Sequence, residues 1–144
     1  MAHKKLIVFT CNWHAYHGME AAGTRRISYD PRAIPVRLTC MGRISTGIIL
    51  KAFEQGAMGV LLLGCPEGDC QYESGMRLAE NVVAEAKKFL ALLGLSPDRL
   101  MLECLKTERD QAFAEKVNAF MKRLEMHQLA IKQTEKAEPY ENHA

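Results

Sequence analysis

Four cysteines occupy positions where a thiol is able to do chemistry. Gly64-Cys65-Pro66-Glu67-Gly68-Asp69-Cys70 places two of them, a proline and two glycines within seven residues, directly after the apolar run Val60-Leu61-Leu62-Leu63. Upstream, Leu6-Ile7-Val8-Phe9-Thr10 ends in Cys11, and Val36-Arg37-Leu38-Thr39 ends in Cys40. Each apolar run reads as a short strand, so three strands deliver a cysteine at or just past their C-terminal ends. In a parallel sheet those ends share one edge, where α/β folds place their sites. Cysteines distant in sequence would then converge.

Four thiolates are the usual protein ligands of a [2Fe–2S] cluster and also of structural zinc. The C-x4-C spacing of Cys65 and Cys70 departs from the C-x2-C pairs of zinc ribbons, which tilts the reading away from zinc. Two other readings stay open. One is reduced thiols buried in a core, since free cysteine is often buried. The other is a dithiol redox carrier on Cys65 and Cys70, although its spacer is longer than the usual C-x2-C. The fifth cysteine, Cys104, lies inside the apolar run Leu100-Met101-Leu102-Glu103-Cys104-Leu105 and reads as a small core residue.

His14 and His17 extend the first site to Cys-x2-His-x2-His. An imidazole replacing one thiolate would make a cluster less negative and raise its potential. His17 reads as a surface residue; for His14, metal ligand and loop residue are both open. Trp13, the only tryptophan, either shields a site from water or packs in the core. Arg43 and Arg25-Arg26 either offset the charge of an anionic centre or are solvated surface residues. No G-x-G-x-x-G opens a helix after a strand, and no P-loop is present. No Ser–His–Asp order can be argued, so no self-contained catalytic centre is visible.

The elements that position these residues follow from periodicity and punctuation. Strands are expected at 5–11, 35–40, 59–64 and 100–105. Helices are expected at 15–27, after a cap at Ser45 or Thr46, at 75–93, and in a last segment with Phe113, Val117, Phe120 and Leu124 on its buried face. Ile48, Ile49, Ala52 and Phe53 form the stripe of the second helix. Val82, Val83, Ala86, Phe89, Leu90 and Leu93 form that of the third. Gly56 and Gly94 are natural stops, and Thr107 with Asp110 resembles a capping box. This alternation predicts an α/β domain: a four-stranded, mostly parallel sheet flanked by helices, with the cysteines at its C-terminal edge. Residues 1–128 form that domain, and 129–144 are expected to be a mobile tail.

With 144 residues the chain is long enough for one domain with a real core. Its net charge of +2 carries no nucleic-acid footprint. The apolar run after His3-Lys4-Lys5 is too short for a signal peptide, and a cytoplasmic location is expected. Five cysteines, an odd number, in a reducing compartment argue against a disulfide framework.

Cys11-Asn12-Trp13, Cys40-Met41-Gly42-Arg43 and Gly64-Cys65-Pro66-Glu67-Gly68-Asp69-Cys70 together resemble the delta subunit family of methyl-viologen-reducing hydrogenase. Lys51-Ala52-Phe53-Glu54-Gln55-Gly56-Ala57 and Gly59-Val60-Leu61 extend the likeness, which covers roughly residues 5–125. The resemblance implies an iron–sulfur subunit with one [2Fe–2S] cluster and no substrate site of its own. It implies a relay of electrons from a hydrogenase or formate dehydrogenase to the flavin-containing subunit of heterodisulfide reductase, in complexes of anaerobes that use flavin-based bifurcation. Ligands are expected at Cys11, Cys40, Cys65 and Cys70. Where the family typically has Cys-Asn-Trp-Cys, this chain has Cys11-Asn12-Trp13-His14. His14 therefore enters as a possible substitute ligand, and loss of the cluster is the other consequence to weigh.

Overall fold

The computed structural model describes residues 4–106 and 111–137. Among these, strands β1 (Leu6–Cys11), β2 (Ala33–Leu38), β3 (Gly59–Gly64) and β4 (Leu100–Cys104) alternate with helices α1 (His14–Thr24), α2 (Thr46–Glu54), α3 (Gly75–Leu92) and α4 (Ala112–Ala137). The described strands pair in parallel in the order β2-β1-β3-β4. The α/β class and the four-stranded sheet are those expected from the sequence.

A parallel sheet needs cover on both faces, and every residue of β3, in its middle, is buried. On one face, α1 and α4 set Ala15, Ala22, Phe113, Val117, Phe120 and Leu124 against Leu6, Val8, Leu61 and Leu63. On the other, α2 and α3 set Ile49, Phe53, Ala79, Val83 and Leu90 against Phe9, Val60 and Leu62. The Ser45 hydroxyl accepts the Ile48 amide at 3.2 Å and caps α2. Gly56 and Gly94, at φ +90° and +75°, follow the ends of α2 and α3 in the left-handed conformation that glycine adopts without strain.

Two details differ from expectation. Ile48, Phe89 and Leu93 are exposed although they fall in apolar stripes. A helix lying on a sheet buries only one arc of its surface, and these residues sit at its margin. Cys104 is exposed rather than in the core, because β4 is an edge strand that ends at this residue. Leu105 takes the buried place, its amide bonded to the Gly64 carbonyl at 2.9 Å. Helix α4 extends through residues 129–137, within the segment expected to be a tail. No glycine or proline interrupts residues 112–137. The Thr107–Asp110 capping box and residues 138–144 lie outside the described residues.

Candidate metal centre

The strand order decides which cysteines meet. From β1 the chain passes through α1 to β2 on one side, and from β3 it passes through α3 to β4 on the other. The crevice between the C-terminal ends of β1 and β3 is therefore the topological switch point, the place where such sheets bind ligands. Cys11 is the last residue of β1, and Cys65 directly follows β3. Their Sγ atoms are 3.5 Å apart. Cys40 lies two residues past β2 and leads a single 3₁₀ turn, Met41–Arg43. Its Sγ is 3.8 Å from that of Cys70, on the loop after β3. The nearest partners are thus Cys11 with Cys65 and Cys40 with Cys70; the sequence-adjacent pair Cys65 and Cys70 is divided between the two.

These separations have a chemical meaning. Two thiolates on one tetrahedral metal ion, each about 2.3 Å from it, stand about 3.8 Å apart. Both thiol pairs have that bite. Among the described residues, no three His, Cys, Asp or Glu side chains converge on a single metal position. The site is two clamps of two sulfurs, not one cage of four.

Backbone amides point at the clamps. The Ala15 amide donates to Cys11 Sγ at 3.5 Å, and the Gly42 amide to Cys40 Sγ at 3.4 Å. The His14 amide donates to Cys65. The N-terminus of α1 therefore faces the Cys11–Cys65 pair, where its dipole favours negative charge.

Burial opposes ionisation of the thiols. It is the main cause that pushes the Cys65 thiol up to about 12, with Cys11 adding to it and the His14 amide working against it. Burial likewise raises Cys40, partly countered by the Gly42 amide. A metal must displace these protons to bind. Because the folded chain holds the Cys65 proton more tightly than the ordinary value of 9.0, the metal-free protein is expected to lose stability as pH rises from about 9 towards 12. Metal-loaded chain, with its thiolates already coordinated, should lack that loss. Thermal melts of chelator-treated and loaded protein across this range check the difference.

Small residues let α3 begin against the sulfurs. A Cβ on Gly75, the first residue of α3, would lie 2.5 Å from Cys40 Sγ and 2.9 Å from Cys70 Sγ. One on Gly42 would lie 3.1 Å from the Gly75 Cα. Sequence reasoning passed over Gly75; the available signal was a glycine at a helix start five residues after a candidate ligand.

The remaining candidates separate by position. His14 opens α1, and its backbone serves Cys65. His17 is exposed, 4.0 Å from Glu20 on the same helix, in keeping with a surface role. Trp13 immediately precedes α1 and is 36% exposed, so it borders the site at the surface instead of filling the core. Arg43 is exposed on the turn after Cys40. Arg25 and Arg26 follow the C-terminus of α1, about 15 Å from the end that faces the thiols, too far to balance charge there through screened solvent.

Comparison with known proteins gives a consistent picture. The family model of the methyl-viologen-reducing hydrogenase delta subunit matches residues 6–128. The iron–sulfur subunit of the vhc F420-non-reducing hydrogenase of Methanococcus voltae is 38% identical over 109 residues, 76% of each chain. The iron–sulfur subunit of the F420-non-reducing hydrogenase of Archaeoglobus profundus is 36% identical over 115 residues, 80% of this chain and 84% of that protein. A third relative, from Methanosarcina acetivorans, is a component of the ferredoxin/F420H2-dependent CoB-CoM heterodisulfide reductase. It is 31% identical over 128 residues, 86% of this chain but 16% of that much longer protein.

Proposed function

The chain belongs to the methyl-viologen-reducing hydrogenase delta subunit family, and on that premise we propose that it is a non-catalytic electron-transfer subunit holding one [2Fe–2S] cluster. The ligands are Cys11, Cys65, Cys40 and Cys70. The observation that carries this reading is the pair of two-thiol clamps at single-metal spacing, 3.5 and 3.8 Å, at the switch point of the sheet. The Cys11–Cys65 and Cys40–Cys70 pairs would each supply two thiolates to one of two irons without rearrangement. One zinc ion would have to draw both pairs onto a single centre.

When bound, the cluster supplies one-electron redox chemistry without proton transfer. The chain's own residues hold it and set its surroundings. The Ala15, His14 and Gly42 amides stabilise negative charge on Cys11, Cys65 and Cys40. Burial of those three sulfurs keeps water from the inner side. Four thiolates complete the ligand set without the His14 imidazole; its participation would appear as nitrogen hyperfine coupling in the spectrum of the reduced protein.

The electrons pass between a hydrogenase or formate dehydrogenase and the flavin-containing subunit of heterodisulfide reductase. The Methanosarcina relative supports the second partner, since there a segment similar to this chain lies within a longer heterodisulfide reductase polypeptide. No helix of the described residues is long and apolar enough to cross a membrane, and the cytoplasm is the location this reading assigns.

The test is anaerobic purification with analysis of iron, acid-labile sulfide and zinc, and electron paramagnetic resonance after reduction. Two irons and two sulfides per chain, with a [2Fe–2S] signal, are expected. One zinc and no iron would move the chain to the structural zinc modules.

A further inference from the structure

We propose that electrons enter or leave this chain over the Cys70 loop, residues 66–73, and that the redox partner meets it with a basic rim around an apolar centre. The inference rests on reading the site as an electron-carrying iron–sulfur centre. Three of the four proposed ligand cysteines are sealed: Cys11, Cys65 and Cys40 are 1%, 4% and 8% exposed. Cys70 is half-buried, and its neighbours Glu67, Gly68, Asp69, Gln71, Tyr72 and Glu73 are all exposed. Tunnelling falls off steeply with distance, so a partner's cofactor comes nearest where a ligand sulfur itself approaches the surface.

The chemistry of that surface selects the partner. Residues 64–76 carry Glu67, Asp69 and Glu73 and no lysine, arginine or histidine. The chain as a whole is +2, so this negative field is local. Arg77 on α3 and Arg43 on the turn after Cys40 are exposed nearby. The cavity that Glu67, Cys70 and Glu73 line also holds Glu80, Asp98 and Glu103 against Arg77, Lys87, Lys116 and Arg123. Lys116 is paired to Glu103, so carboxylates remain the majority among the described residues. Tyr72 and Leu78, 52% and 49% exposed, supply apolar surface. Leu78 adjoins Gly42 and so lies by the Cys40–Cys70 clamp, its Cδ1 3.4 Å from where a Gly42 Cβ would stand. Opposite charge around an apolar contact speeds encounter and orients it.

The experiment uses the full chain, loaded anaerobically and reduced, and mixed by stopped flow with hexaammineruthenium(III). One electron passes from the protein to ruthenium(III), which becomes ruthenium(II). Between about 10 mM and about 200 mM salt, where the Debye length falls from about 30 Å to below about 8 Å, the rate is expected to drop about tenfold, the low end of charge steering. The triple variant E67Q/D69N/E73Q should be several-fold slower at low salt and faster with ferricyanide. E20Q/E54Q, on α1 and α2 away from the loop, should change neither rate. Glu73→Lys alone, outside the Cys65–Cys70 segment, tests the same point if the triple variant loads poorly. Four thiolates on a one-electron-reduced [2Fe–2S] core add three negative charges to the +2 of the side chains, so the loaded protein is slightly negative overall and the salt slope alone does not locate the field. A slope for the triple variant equal to that of the wild type would overturn the proposal. So would loop variants with intact visible spectra and unchanged rates. Wild-type protein without iron or visible absorption would remove the cluster reading itself, an outcome separate from a loaded protein that shows no charge preference.

Discussion

Replacing Cys65 with serine is expected to strip the chain of iron while leaving it folded. Cys65 follows a fully buried strand, sits 3.5 Å from Cys11 and is 4% exposed. A serine hydroxyl is smaller than a thiol, so the core accepts it; the Gly64 and Leu105 backbone bond that ties β3 to the chain after β4 is untouched. What serine lacks is a soft, readily deprotonated ligand. If two irons each take one thiol pair, as proposed, losing this thiolate would leave one of them with a single protein sulfur, Cys11. Affinity should fall at least about 100-fold, the upper end of what even a change outside the ligand shell costs. Iron and sulfide analysis after anaerobic reconstitution reads the effect, with far-ultraviolet circular dichroism as the folding control. Cys104→Ser is the companion: exposed at the end of β4, it should load like the wild type. Equal losses in the two variants would break the assignment of ligands.

Gly75→Ala should also cost the chain its iron, through a methyl group and not a ligand. The added carbon would stand 2.5 Å from Cys40 Sγ and 2.9 Å from Cys70 Sγ, inside any tolerable contact. Alanine favours the helix over glycine by about 1 kcal/mol, so α3 itself has no reason to fail. The conflict falls on the Cys40–Cys70 clamp, which must open or push the start of α3 away from the Gly42 turn. Overpacking of this kind costs about 1–3 kcal/mol, which a thermal melt would show as a modest drop alongside lost visible absorption. Gly23→Ala is the control. It lies in α1 with open space around the new carbon and should load fully, with stability equal or slightly raised. A Gly75→Ala protein that keeps its full spectrum would mean that the sulfurs move freely, and that the clamp geometry is not what holds the centre.

Much of this was legible in the chain. Alternation of apolar runs with helical stripes yields the α/β class, because backbone hydrogen bonding and burial act over a few residues at a time. β3 coincides with its expected limits at residues 59 and 64, since a purely apolar run between glycines leaves little freedom. The buried face of α4, Phe113, Val117, Phe120 and Leu124, follows from 3.6-residue spacing alone. The placement of Cys11 at the end of β1 and of Cys65 directly after β3 follows from the same local reading, whereas β2, expected to run to residue 40, ends at Leu38 and leaves Cys40 on the turn beyond it. The weak points were equally physical. Cys104 looked buried because its neighbours are apolar, whereas it closes a strand at the edge of the sheet, which among the described residues pairs with β3 alone and loses cover at its end.

The pairing of the sulfurs was beyond local reasoning. Nothing within seven residues says that Cys65 belongs with Cys11, 54 positions away, and not with Cys70. That choice is made by strand order: β1 and β3 are neighbours with the chain departing to opposite sides, so their ends leave a crevice and bring their cysteines into it. The role of Gly75 was hidden for the same reason, since its lack of a side chain matters only once α3 packs its first residue onto thiols from two other segments. Residue types and spacing determined which groups were able to do chemistry and where along each element they would stand. The tertiary structure decided which of them share a centre, because distances between segments are set by the order and packing of the sheet, which no single stretch of sequence contains.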